Sequence, residues 1–318
     1  MVDIPRESAL AEAPIVGAAT AVAPVPDWVD ATDLPARRHV NLWKDAWRRL
    51  LRNKLAMAGL CVIGILLFLT AFADLLMPYE YDYQNFGNIG ESPSWEFPLG
   101  TDLVGRDMLS RMIYGARVSM SVALISQLAV LIIAIPIGAA AGYYGGWLDT
   151  LLMRIVDIFY AIPQLLLAIL IMGVLGRGLE NLFLAIILTS WLTLARQTRA
   201  QMLALREKEF VKAARTAGAG AFWIIVRHML PNALSPIVVA VTFGIPQIIF
   251  AEAALSFIGV GINPPMPSWG QMVGEYQQYL RSNWHMAVFP AIAIALTMLS
   301  FTFLGDGLRD ALDPRMND

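Results

Sequence analysis

NLFLAIILTSWLTLARQTRAQMLALREKEFVKAARTAGAGAFWIIVRHMLP, residues 181–231, joins a short apolar run to a long basic one, and the side on which the basic part falls fixes the topology of the chain. Residues 181–195 carry no charge, yet as a helix they reach only about 22 Å, less than the ~30 Å hydrocarbon core of a bilayer. Arg196, Arg199, Arg206, Lys208, Lys212, Arg215 and Arg227 follow. A second basic group, Arg37, Arg38, Lys44, Arg48, Arg49, Arg52 and Lys54, precedes the apolar residues 55–73. Loop cations stay on the cytoplasmic side of a membrane, so an even number of crossings separates the two groups. That condition makes residues 181–195 a crossing despite their length.

Working outward, long intervals between charges mark the other crossings. With 57% hydrophobic and 15% charged residues, the chain is far more apolar than an ordinary soluble domain. Candidate spans occupy 55–73, much of 118–148, 158–176, 181–195, 232–252 and part of 282–305. The expected fold is therefore all-α and polytopic, with six transmembrane helices and both termini cytoplasmic. Only Arg106, Arg111, Arg117, Arg177 and Arg281 fall outside on this topology. Pro136, Pro163, Pro246 and Pro290 lie within spans, where each removes a backbone donor and kinks a helix. Gly138, Gly142, Gly145 and Gly146 permit close helix approach and are assigned to packing.

Several function classes drop out. A formal charge of −2 gives no reason to expect a nucleic-acid partner, and the single cysteine, Cys61, excludes an internal disulfide or a cysteine metal cluster. Residues 1–36, broken by five prolines and rich in acids, are expected to be a solvated, disordered cytoplasmic tail rather than a secretory signal. His39, His228 and His285 fall on opposite sides and cannot share a metal, and no Gly-x-Ser-x-Gly or His-Glu-x-x-His pattern supports an intramembrane hydrolase. No phosphate loop and no Gly-Lys dipeptide occurs, so the chain is expected to have no catalytic site, metal or cofactor of its own.

The polar interval 196–231 is too long for a plain connector. Within it, 207–217 reads as a short helix stopped by Gly218, and 221–230 as a second helical run ending against Pro231. Small Ala213 and Ala214 let the first helix seat closely in a groove, and Gly218 lets the backbone turn sharply.

Lys212-Ala213-Ala214, Gly218 and His228-Met229-Leu230-Pro231 match in spacing a cytoplasmic signature of ABC importer permeases, Glu-Ala-Ala, three residues, Gly, nine residues, then Ile-x-Leu-Pro. Lys212 replaces the usual Glu and His228 the usual Ile. Gly100-Thr101-Asp102, Gly105-Arg106-Asp107, Leu255-Ser256-Phe257-Ile258-Gly259, Pro267-Ser268-Trp269-Gly270 and Gly305-Asp306-Gly307-Leu308-Arg309-Asp310 further resemble the dipeptide and oligopeptide permease family, in its C-type subunit. The resemblance implies a type I ABC importer permease fold: a basic amphipathic segment at 37–54, a first transmembrane helix at 55–77, an extracytoplasmic segment at 78–116, a core at 117–310 and a cytoplasmic tail at 311–318. It implies that Glu209, Lys212, Ala213, Ala214, Gly218, His228, Leu230 and Pro231 couple the chain to a separate ATPase, which holds ATP and Mg. The implied partners in the inner membrane are a homologous B-type permease, two ATP-binding subunits and an extracytoplasmic substrate-binding protein that selects the cargo, di- or oligopeptides in this family.

Charges near the membrane are the remaining candidates. Asp102 and Asp107 are expected to pair with Arg106 and Arg111 in an exposed loop, or to form a platform near a docked binding protein. Arg154 and Asp157, three apart, are expected to pair on one helix face. Glu252 falls near the outer mouth, where it meets substrate, a partner subunit or water. An ion-coupled secondary transporter is the alternative function, disfavoured because no clear inverted repeat or midplane carboxylate is found.

Overall fold

The computed structural model describes residues 42–313. The expected tail 1–36, residues 37–41 of the basic segment and residues 314–318 lie outside them.

Helix boundaries follow from local capping. After an amphipathic α1 (Leu42–Leu50), the Asn53 side chain accepts from the N–H groups of Leu55 and Ala56, both at 3.1 Å, and starts α2 (Lys54–Ala71). A one-turn α3 (Ala73–Leu76) closes that span. α4 (Met108–Tyr144) begins ten residues before the expected second span, because Asp107 caps it by accepting from Ser110 N–H at 2.8 Å and Leu109 N–H at 3.4 Å. Gly145 and Gly146, both at positive φ (+66° and +58°), turn the chain into α5 (Gly146–Tyr160) rather than packing helices together.

The expected continuous third span is broken. α5 and α6 (Gln164–Leu175) meet at 82° across Ala161, Ile162 and Pro163, and α6 alone, about 18 Å long, is too short to cross a bilayer. Pro163 stands just outside α6, so it ends a helix where Pro136, Pro246 and Pro290 lie inside theirs. The fourth span gains what the sequence lacked: α7 (Leu179–Arg206) continues through Arg196 and Arg199 to 28 residues. Arg196 binds Asp157 at 2.5 Å and Arg199 binds Asp149 through both carboxylate oxygens at 2.5 and 2.6 Å, so α5 neutralises the charges that seemed to end the helix. The expected Arg154–Asp157 pair is replaced by this longer-range one.

After α8 (Glu209–Thr216), the run that was expected to stop at Pro231 instead continues. α9 (Ala221–Trp223) leads through a π-helical turn, Ile224–Met229, into α10 (Leu230–Phe257). The wide turn, in which Leu230 N–H bonds to Ile225 C=O, brings Pro231 to the first turn of α10, where its missing N–H costs little. α11 (Trp269–Tyr276) and a 3₁₀ turn (Gln277–Tyr279) precede α12 (His285–Leu312). Five continuous helices among the described residues are thus long and apolar enough to cross a membrane, and the bent α5–α6 pair makes a sixth.

The bundle is held by close helix contacts around Val122, Leu182, Ile186, Ile248 and Ile249, all buried. α4 touches α7 where it carries glycine: a Cβ on Gly138 would lie 2.4 Å from Ala195 O, and one on Gly142 would lie 2.5 Å from Met202 Cβ. Gly59 of α2 meets Ser300 O of α12 in the same way, at 2.5 Å. Without water to exclude, such backbone approach supplies much of the association energy of membrane helices. Replacing Gly142 by Leu is expected to destabilise the protein by about 1–3 kcal/mol through overpacking, whereas Gly173→Leu, which meets open space, leaves it unchanged. Thermal unfolding of the two variants in detergent measures the difference.

Candidate functional site

The residues singled out by sequence separate to two ends of the bundle. At one end, α8 leaves the C-terminus of α7 and lies across the start of the helix that becomes α10. Its anchor is Val211, fully buried among Ala139 and Tyr143 of α4, Met202 of α7, and Ile224 and Met229 of the π turn. Arg215 rests over the Tyr143 ring at 5.4 Å, and Arg206 Nη1 donates to Tyr143 O at 3.4 Å. One face of α8 is therefore seated on three long helices at once.

The opposite face is open. Ala213, Ala217 and Gly218 form the floor of a concavity of about 710 Å³ walled by Phe210, Trp223 and His228. Phe210 and Trp223 are 39% and 53% exposed, and His228 meets Trp223 edge-on at 4.7 Å. Gly218 has φ +81°, a backbone that side chains resist, and lets Ala219 N–H return to Ala214 C=O at 3.1 Å. Glu209 stands exposed in the first turn of α8, where an acid complements the helix dipole. Lys212 Nζ lies 3.6 Å from Glu207 Oε2, and Arg206 first and Lys212 second hold the Glu207 carboxyl below its usual range. Leu230 is half-buried and Pro231 exposed at the base of α10. The sequence picks out this small-residue floor, but not Val211 beneath it or the aromatic walls, whose signal is Phe210 and Trp223, large aromatics within the interval 196–231.

The other end carries a buried polar cluster instead of the expected exposed loop. Asp102 is fully buried. Its carboxylate accepts from the N–H groups of Val104 and Arg106, both at 2.9 Å, from Arg106 Nε at 2.5 Å and from the Tyr276 hydroxyl at 2.9 Å. Arg111, also fully buried, approaches Asp102 at 3.7 Å and Glu275 at 3.8 Å. Arg106 Nη2 reaches Glu275 at 3.5 Å. Two cations thus face two carboxylates, and burial pushes the Tyr276 phenol well above its usual range, keeping it a donor. Among the described residues Asp107 joins no ion pair: its carboxylate caps α4 and accepts from Ser110 Oγ at 2.6 Å. Glu275 and Tyr276 come from α11, far off in sequence, and the sequence gives no sign of them.

Glu252 is corrected as well. It is fully buried inside this chain rather than at a mouth, accepting from Ser119 Oγ at 3.1 Å and Ser256 Oγ at 2.9 Å. Ser119 Oγ also accepts from Trp269 N–H at 3.4 Å, so the carboxylate helps to join α4, α10 and α11. His285 lies buried near Thr101 O, at the end opposite His228, and His39 lies outside the described residues. Among the described residues no three His, Cys, Asp or Glu side chains are grouped to hold a metal.

Comparison with known proteins places the chain in a family. Residues 134–318 match the family described as binding-protein-dependent transport system inner membrane component, and residues 41–93 match the N-terminal transmembrane domain of oligopeptide transport permease C. The chain is 42% identical, over 87% of its length and 91% of the relative's, to the dipeptide transport system permease protein DppC of Alkalihalophilus pseudofirmus. It is 39% identical to the oligopeptide transport system permease protein OppC of Bacillus subtilis, over 88% and 92% of the two chains. It is 40% identical to the glutathione transport system permease protein GsiD of Pectobacterium atrosepticum, over 86% and 91%. In fold it resembles a chain of the inward-facing MetNI methionine ABC transporter, with TM-score 0.53 at 21% identity, covering 65% of this chain and 96% of that one.

Asp102→Asn is expected to destabilise the protein by about 3–5 kcal/mol, since it leaves two buried guanidinium groups facing one carboxylate. Tyr276→Phe, which removes one buried donor, is expected to cost about 1–3 kcal/mol. Melting temperatures in detergent should fall in that order, and an unchanged Asp102→Asn protein would show that the cluster holds nothing together.

Proposed function

The chain belongs to the family of binding-protein-dependent transport system inner membrane components, and on that premise we propose that it forms half of the translocation pore of an ATP-binding-cassette importer of di- or oligopeptides. The observation that carries the reading is the two-faced seating of α8. Val211 fastens it to α4, α7 and the π turn, while Ala213, Ala217 and Gly218 offer an open floor between aromatic walls. A partner ATPase docked there moves α8, and α8 cannot shift without moving the inner ends of the long helices. Lys212, engaged with Glu207 of its own chain, contributes by shaping this surface rather than by supplying the usual carboxylate.

In this assembly the α8 end faces the cytoplasm, and a homologous B-type permease supplies the other half of the pore. Two ATP-binding subunits hold ATP and Mg, so this chain performs no hydrolysis. The end bearing the Asp102 cluster faces outward. There the substrate-binding protein meets residues 78–107, whose Phe86, Ile89 and Trp95 stand exposed above the buried ion network. Family membership sets aside the ion-coupled alternative.

Affinity purification of the tagged chain in mild detergent, followed by mass spectrometry, is expected to recover a second permease together with ATP-binding subunits. Gly218→Asp, which puts a charged side chain into the docking floor at positive φ, is expected to leave the chain inserted while uncoupling ATP hydrolysis from uptake. Wild-type uptake by a stable Gly218→Asp complex would contradict the role given to α8.

A further inference from the structure

A cavity of about 360 Å³ opens between α4, α7 and α10 and runs from the middle of the bundle towards the α8 end. Gln127 of α4, Ser190, Thr193, Gln197 and Gln201 of α7, and Gln247 of α10 line it. Gln127 lies near the middle of the 37-residue α4, at the depth of the hydrocarbon core. On α7 the four side chains recur at intervals of three and four residues, so they form one stripe along the helix that runs towards α8.

These amides are unspent. None of Gln127, Gln197, Gln201 and Gln247 makes a hydrogen bond to another described residue, although Gln127 is only 5% exposed. Gln127 has its place because α10 carries glycine opposite it: a Cβ on Gly244 would lie 2.5 Å from Gln127 Oε1. At the depth of Gln127 and Gln247 such groups cannot face lipid, where each unsatisfied donor or acceptor costs several kcal/mol. Polar side chains there face water or a polar partner. Gln197 and Gln201, beside Arg196 and Arg199, carry the polar stripe on towards α8. The opposite face of α7 differs: Leu184 and Leu188, 49% and 48% exposed, present only apolar atoms.

We infer that this stripe is this chain's wall of the solute path and that it recognises the main chain of a peptide. Each glutamine offers one acceptor and two donors, matching the N–H and C=O groups of an extended peptide. The wall at Gln127, Ser190, Thr193 and Gln247 carries no charge, and the one ionisable lining residue, Arg309, lies at the α8 end of the cavity, in the last turn of α12. A delivered peptide therefore passes whatever its side chains. The inference rests on the importer reading given above, and names the wall that the importer uses.

Cys61 is exposed and is the only cysteine, so Cys61→Ser gives a cysteine-free background in the assembled complex. Cysteine is then placed at 193, 197 or 247, and at 184 or 188 as controls, and treated with a membrane-impermeant, water-soluble thiol reagent. Positions 193, 197 and 247 should label and be protected by transported dipeptide, while 184 and 188 should stay unlabelled. Labelling at 197 no faster than at 188 would overturn the inference and mean that the stripe is packed against the partner permease. In vesicles, the double variant Gln197→Leu, Gln201→Leu should lose about tenfold in uptake, the effect of two lost neutral hydrogen bonds, equally for Lys-, Glu- and Leu-containing dipeptides. Its ATP hydrolysis, stimulated by loaded binding protein, should persist. A loss confined to one side-chain class would contradict main-chain recognition. ATP-driven uptake by the wild-type complex in the same vesicles tests the importer reading separately, because the labelling pattern does not depend on it.

Discussion

Everything at the α8 end depends on the bidentate ion pair between Arg199 and Asp149. A guanidinium left alone in the outer turns of a membrane helix costs several kcal/mol, enough to end the helix or pull it to the surface. With both carboxylate oxygens of Asp149 within 2.6 Å, and with Arg196 on Asp157 a turn away, α7 stays helical from Leu179 to Arg206. Its continuation past the apolar stretch to Arg206 brings the chain to the start of α8, with only Glu207 and Lys208 between. The same pairs fix the amphipathic α5 against α7, which explains how a chain break of 82° at Pro163 is tolerated without loss of packing.

The general plan is legible in the sequence because it follows from local quantities. Run length and cation distribution give the crossings, and Gly218, separated from the Ala213-Ala214 pair by Arg215, Thr216 and Ala217, gives the turn after α8. What escapes is long-range. Arg196 and Arg199 resemble boundaries until their acids, 39 and 50 residues earlier, are brought alongside. Asp102 and Arg111 resemble a solvated loop until α11 closes over them with Glu275 and Tyr276. Pro231 resembles a stop because the π turn that absorbs it has no sequence pattern of its own. Asp107 is different: an acid directly before an apolar helical run is a capping signal, and pairing it by charge alone overlooks that.

The structure divides labour along the membrane normal. The end bearing Asp102 is locked by a charge-balanced cluster that ties residues 78–111 to α11. The opposite end is a hydrophobic seat with an exposed floor, the surface on which the proposed ATPase docking rests. Between them, neutral amides with no internal partners face a cavity. Rigid ends and a polar, uncharged middle suit a chain that moves cargo without chemistry of its own. The fully buried Glu252 is spent on serines of its own chain and serves packing.

The most direct test of this account is uptake of a labelled dipeptide by vesicles containing the assembled complex and its binding protein, with no ion gradient across the membrane. The account predicts accumulation that needs ATP and stops when ATP is omitted. Accumulation without ATP, driven by an imposed proton or sodium gradient, would contradict it.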